Sequence, residues 1–356
     1  MACLATALQS LDRVIVSLDG IGLPLRPGEM MDMTRVERRP QMVQVVADVL
    51  DMHPRLRALE VTAWENQQLS CMAQLAGRRP DLLRSLVVKT PAHLAGSSEA
   101  SHARAALSKV LPGQKHLATL KLQDALDGNS GQRPLNLREA RLDDAIAALP
   151  GLKSLTLSHY RLTQDDAGAL AGVLRQMPAL EDLDLSNNVL DAADFSQIAS
   201  SLAAVAGLRS LNLQGTSLTG ASAEHLAHVL PGLAKLRTLN LATTGMVATD
   251  MGHLAVGLAG LKQLQTLDVS HNPLDQDGRS RLIAALAHVP TLRHLHLRAR
   301  WHEQPPNLDT LKYDLAPLAG NPELHVYLCR PSVYEQIERQ RMTQRQAEMP
   351  HLHFIG

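Results

Sequence analysis

Apolar residues along much of this chain recur in one spelling. Leu180-Glu181-Asp182-Leu183-Asp184-Leu185-Ser186-Asn187-Asn188-Val189-Leu190 shows it: leucine at the first, fourth, sixth and eleventh places and asparagine at the ninth. The first leucines of the regular copies are Leu152, Leu180, Leu208, Leu236, Leu264 and Leu292, a repeat of about 28 residues. Alternation around the fourth and sixth places predicts a short strand with its leucines turned inward. The twelfth place holds Thr163, Asp191, Thr219 or Asp275, residue types that accept the free N–H groups at a helix start. Apolar residues then return at helical spacing, as in Ala167, Leu170, Ala171 and Leu174, and Pro150, Pro178 and Pro290 end the helices. A strand-helix unit with apolar residues on one side of both elements cannot bury them alone. Copies must therefore stack, each strand adding to a parallel ladder.

The phase weakens towards both ends. Leu11, Val14, Val16, Asp19 and Ile21 match the spelling as a divergent first strand, 22–40 reads as a loop, and 41–52 reads as a helix. Further copies begin at Leu56, Leu83 and Leu117, but Trp64, Pro91 and Ala125 occupy their asparagine places, and 91–101 and 126–137 read as surface loops. After Leu297 the phase is lost at Trp301. Leu308, Leu311, Tyr313 and Leu315 suggest one more degenerate copy, Leu324, Val326 and Leu328 a closing strand, and 334–346 a charged helical segment. The predicted organisation is an N-terminal cap with a divergent repeat at 1–55, an array at 56–300 (irregular over 56–151, regular over 152–300), and a C-terminal cap and tail at 301–356.

The stretch from Leu152 to Leu297 resembles the leucine-rich repeat family, and within it the long-repeat, ribonuclease-inhibitor-like subclass. The resemblance implies an α/β horseshoe solenoid with a concave parallel sheet and convex helices, used for binding proteins. The chain departs from the family at the ninth place, where Asn188 and Asn272 alternate with Tyr160, Thr216, Thr244 and Arg300. An interrupted ladder of asparagine turn bonds is therefore expected, weakest at Tyr160.

Composition narrows the function classes. Hydrophobic residues make up 45% of the chain and aromatics 2%, so the core must be built mainly from Leu, Ala and Val. Lys plus Arg and Asp plus Glu each total 35, which argues against nucleic-acid or anionic-membrane partners. Cys3, Cys71 and Cys329 show no paired spacing, so neither a disulfide framework nor a zinc site is indicated, and no cofactor is implied. Asp12 and Arg13 interrupt the only candidate signal segment, and no run of about 20 apolar residues suggests a membrane span. Arginine is the dominant cation, which with the Ala and Leu excess suits a GC-rich bacterial gene. Bacterial proteins of this kind resemble the leucine-rich effectors that pathogens inject into host cells. That resemblance implies synthesis in the cytoplasm, type III secretion into a host cell without a Sec signal, and a monomer that binds a host protein. Some such effectors carry a cysteine ubiquitin ligase, but Leu328-Cys329-Arg330-Pro331 lacks the Asp that motif places two residues on.

Outward strand positions fall into three columns. The third place runs Ser154, Asp182, Ser210, Thr238, Thr266, His294; the fifth Thr156, Asp184, Asn212, Asn240, Asp268, His296; the seventh Ser158, Ser186, Gln214, Ala242, Ser270, Arg298. Their drift from acidic to basic makes Ser154, Thr156, Asp182, Asp184, Asn212, Asn240, Asp268, His294, His296 and Arg298 the candidate partner-binding residues of a non-enzymatic scaffold. Set against this, short polar residues also serve simply to hydrate a sheet, and these columns lack the aromatic anchors of binding hot spots. Reversing Asp182, Asp184 and Asp268 to Arg is expected to change stability little. Three further arrangements are open: a metal or pH-sensing cluster of His294, His296, His271 and Asp268, a Ser270, His296, Asp268 triad without a nucleophile turn, and a GTPase-activating role with Arg161 or Arg300 as the catalytic arginine.

Overall fold

The computed structural model describes residues 13–17, 58–62, 84–90, 104–105, 107–124, 137–298, 314–318, 320–329 and 352–355, which fall into two units, Met1–Tyr160 and Arg161–Gly356. The expected helix at 41–52, the loop at 91–101, the body of the 126–137 loop, Arg300 and the segment 334–346 lie outside the described residues. The fold is the α/β leucine-rich-repeat solenoid: parallel strands in sequence order, with helices alternating between the regular ones.

In the first unit the strands are β1 (Arg13–Ser17), β2 (Ala58–Thr62), β3 (Ser85–Thr90), β4 (Thr119–Asp124) and β5 (Ser154–Ser158). Each pairs in parallel with the next, and the third place stays in register throughout, as Ala58↔Ser85, Ser85↔Thr119 and Thr119↔Ser154. The irregular copies therefore keep the strand register although the sequence of their turn positions departs from the spelling. Helix α1 (Leu142–Ala147) buries Leu142, Ala145 and Ile146. Tyr160, at an asparagine place, is 2% exposed, with the Arg104 guanidinium carbon 5.3 Å from its ring centre. An aromatic ring here replaces the turn amide by burial and a cation–π contact.

The second unit holds β6 (Asp182–Asp184), β7 (Ser210–Asn212), β8 (Thr238–Asn240), β9 (Thr266–Asp268), β10 (His294–His296), β11 (His325–Cys329) and β12 (Leu352–Ile355). All successive pairs are parallel and in register, with Leu183, Leu211, Leu239, Leu267, Leu295 and Val326 side by side. These side chains are 6% exposed or less, and at about 1.5–3 kcal/mol each their burial is the main term holding one copy on the next. The strand expected at Leu324, Val326 and Leu328 is present as β11, but it does not close the sheet, because β12 pairs beyond it, and Leu315 lies in a helical turn rather than a strand.

Helices α2 (Gln164–Leu174), α3 (Ala192–Leu202), α4 (Ala221–Val229), α5 (Ala248–Leu258) and α6 (Gln276–Leu286) follow the strands. Thr163, Asp191 and Asp275 cap α2, α3 and α6 through their side chains, accepting from Asp166, Asp194 and Gly278 N–H. Thr219 does not cap α4, because Gly220 with φ 56° intervenes. Helices α4 and α5 meet closely: a Cβ on Gly257 would lie 2.5 Å from the Ala227 carbonyl oxygen, so hydrogen is the only side chain that fits.

The eighth place is left-handed in five consecutive copies, at His159 (φ 69°), Asn187 (55°), Gly215 (69°), Thr243 (59°) and His271 (60°). Asn and Gly suit this region; a β-branched residue does not. Thr243 is exposed, so Thr243→Asn removes strain without disturbing packing. It should stabilise the chain by roughly 1 kcal/mol, read as a higher midpoint in urea at unchanged slope; an unchanged midpoint would show that the turn absorbs the strain.

A third column runs through the first helical turns. Asp166, Asp194, Ser222 and Asp250 stand at equivalent places and are 1–5% exposed. Asp166 Oδ2 accepts the Thr163 N–H at 3.1 Å. The two oxygens of Asp250 accept from Gly220 N–H at 2.8 Å and Val247 N–H at 2.9 Å, tying one copy's turn to the next copy's helix. Burial raises the Asp194 pKa above the ordinary carboxylate value, and the charges of Asp191 and Asp166 raise it further. A raised pKa means the folded chain holds the proton more tightly than the unfolded chain. Ionised Asp194 therefore weakens the fold at neutral pH, and that penalty fades as pH falls towards the ordinary carboxylate range. Asp194→Asn should gain on the parent at pH 7 and lose that gain at pH 4 in paired urea titrations; an equal difference at both pH values would refute it.

Candidate functional site

The sheet face opposite the leucines is where the sequence placed its candidate residues. Ser154 and Thr156 lie on β5 of the first unit, Ser154 half-buried and Thr156 only 4% exposed. The rest belong to the second unit. Asp182 is exposed, and Asp184, Asn212, Asn240, Asp268, His294, His296 and Arg298 are half-buried.

The fifth-place column has a structural role that the spelling alone did not reveal. Oδ1 of Asp184, Asn212, Asn240 and Asp268 accepts the backbone N–H two residues on, from Ser186 (2.9 Å), Gln214 (3.1 Å), Ala242 (3.0 Å) and Ser270 (2.9 Å) respectively. Asp and Asn make this turn best, and Ser and Thr hydroxyls make it more weakly. It satisfies an amide just past the strand and ends each strand after three residues. The expectation that Asp184 and Asp268 are freely reversible to Arg is corrected accordingly, since Arg has no acceptor.

At the C-terminal end the face becomes aromatic. The His296 ring stacks on Tyr327 with centroids 4.3 Å apart and planes 9° from parallel. His294 stacks on His325 at 5.8 Å, and its Nδ1 lies 3.0 Å from the Tyr327 hydroxyl. Arg298 donates from N and Nε to Ser270 Oγ at 3.3 and 3.5 Å, and its guanidinium lies 4.0 Å from Asp268. Tyr327 and His325 add aromatic rings to this face beyond its regular columns. They lie past Arg298, where the leucine period lapses, and the sequence signal that marks them is the alternation of Leu324, Val326 and Leu328, which turns His325 and Tyr327 outward.

Burial lowers the pKa of His296; Asp268 acts in the opposite sense, and Arg298 and His294 lower it again. The imidazole stacked on Tyr327 is accordingly neutral at pH 7. The Ser270 hydroxyl, fully buried, is engaged by Arg298 rather than by His296. Among the described residues, no group of three or more His, Cys, Asp or Glu is arranged to hold a metal ion. Arg161 is exposed and forms an isolated parallel bridge with Val189. No helix among the described residues is long and apolar enough to cross a membrane.

No protein-family model matches the sequence, and no curated protein matches it. Among solved structures, a protein from Bacteroides fragilis is similar with 16% identity and a TM-score of 0.43, covering 70% of this chain and 66% of that one. An internalin (inlF) from Listeria monocytogenes shares 17% identity at a TM-score of 0.39, over 78% of this chain and 75% of its own. Rad7, solved in complex with Elc1 from yeast, shares 14% identity at a TM-score of 0.47, over 83% of this chain and 71% of its own.

Proposed function

We propose that this chain is a non-enzymatic scaffold that binds a protein partner on the sheet face from β6 to β11. The observation that carries the proposal is the rigid cluster of His294, His296, His325 and Tyr327, half-buried side chains stacked on the open side of the sheet rather than in the core. Tyrosine and arginine beside a preformed aromatic surface are the residue types that dominate binding energy at protein interfaces. The strands fix the spacing of every side chain on that face, so little ordering is needed on association. We take the partner to be a host protein reached by a bacterial effector. That step is supported by the resemblance to injected leucine-rich effectors and by the arginine-rich, alanine-rich residue usage.

Affinity capture with mass spectrometry identifies the partner, and substitutions then map it. His296→Gln and Tyr327→Ala should weaken capture at least about tenfold, while Arg281→Ala, on the exposed side of α6, should leave it unchanged. Capture by folded face variants at parental strength would refute the assignment of the face.

A further inference from the structure

The sheet face of Arg161–Gly356 changes chemistry from one end to the other. At β6 it presents Asp182, exposed, and Asp184, half-buried. At β10, just past it and at β11 it presents His294, His296, Arg298 and His325, while Asp268, at the end of the neighbouring β9 and in register with His296, lies 4.0 Å from Arg298. Ser210, Asn212, Thr238, Asn240 and Thr266, all neutral, lie between, with Asp268 the carboxylate of that stretch. Four hydrogen-bonded strand steps separate β6 from β10, which at roughly 4.8 Å a step is about 19 Å.

Given the binding role above, we propose that the face takes an extended segment of the partner that is itself polarised, with a Lys or Arg over Asp182 and Asp184 and a carboxylate over His294, His296 and Arg298. The spacing follows from geometry: an extended chain advances about 3.3 Å per residue, so the two charges stand about six residues apart. The Arg298 side chain is 35% exposed, which leaves guanidinium N–H groups to donate to an incoming carboxylate, and hydrogen bonds to ionised groups are the strong ones. Stacking on Tyr327 and the 3.0 Å contact of its hydroxyl with His294 hold both imidazoles in place before a ligand arrives. A segment of reversed polarity meets carboxylate with carboxylate and arginine with cation, so the gradient selects direction as well as composition.

The test is selection of random dodecapeptides displayed on phage against the full chain, followed by fluorescence anisotropy with the synthetic winners. Enriched peptides should carry Lys or Arg and Asp or Glu about six residues apart. Exchanging the two charged residues within a peptide should weaken binding at least about tenfold, as should Asp182→Asn with Asp184→Asn, or Arg298→Gln. Asparagine at 184 keeps the oxygen that accepts the Ser186 N–H, and the peptide exchange leaves the protein untouched. Peptides that lose affinity on the face variants but show no polarity would overturn this inference and leave the scaffold proposal standing. Peptides indifferent to every face variant would overturn both. Concentration-dependent self-association abolished by Asp182→Asn would give the face to a second copy of the chain and likewise overturn it.

Discussion

Asn272→Leu should lower the unfolding free energy by roughly 3–5 kcal/mol. Asn272 is 4% exposed and uses both ends of its amide. Its Oδ1 accepts the Thr244 N–H at 3.0 Å and the Met246 N–H at 3.1 Å, and lies 3.0 Å from the Thr244 hydroxyl. Its Nδ2 donates to the carbonyls of Leu241 at 2.8 Å and Val269 at 2.9 Å. One side chain thus closes its own turn and the turn of the preceding copy. Leucine fills a similar volume but leaves two buried N–H groups without this acceptor, at about 1–3 kcal/mol for each group left unsatisfied. Asn272→Thr should recover part of the loss, because Thr216 and Thr244 stand at the same place and reach the Leu185 and Leu241 carbonyls at 3.2 and 2.8 Å. Urea unfolding decides it: a loss under about 1 kcal/mol for Asn272→Leu would mean that the turn amides find other partners.

Those threonines also show where the sequence was legible and where it was not. The period of leucines placed the regular strands and helices, because burial of one face repeats at a spacing that the alphabet records directly. The asparagine ladder is interrupted as its spelling predicts, but Thr216 and Thr244 continue the turn bonds through hydroxyl groups, and Tyr160 is accommodated by burial. A one-letter pattern registers the loss of asparagine, but not that another side chain reaches the same carbonyl. The face was half legible. Alternation placed the third- and fifth-place side chains of β6 to β10 on the open face, but Thr156 and most of the seventh-place column, Ser158, Ser186, Ala242 and Ser270, are 0–7% exposed, and an outward side chain can still be committed to its own backbone, as Asp184 and Asp268 are. Tyr327 lay beyond the point where the leucine spacing lapsed, so only the short alternation around β11 marked it.

Leu183 and Asp184, neighbours on β6, separate the two kinds of constraint within a single strand. Leu183 is 1% exposed and stands beside Leu211 in the ladder. Leu183→Ala should cost about 2–5 kcal/mol, the transfer term plus a cavity that hydrogen-bonded strands cannot collapse to fill. Asp184→Asn keeps the acceptor for the Ser186 N–H and should stay within roughly 0.5 kcal/mol of the parent. Asp184→Arg loses that acceptor, and because Ser186 is only 7% exposed its N–H is left without a partner, so the cost should be about 1–3 kcal/mol. The expected order in urea midpoint is therefore Asp184→Asn highest, then Asp184→Arg, then Leu183→Ala. If Asp184→Arg matched Asp184→Asn, the turn bond would contribute nothing and the fifth-place carboxylates would belong wholly to binding. If instead Asp184→Arg fell as far as Leu183→Ala, the strand end would be as critical as the core, and loss of binding in any Asp184 variant would report unfolding rather than contact.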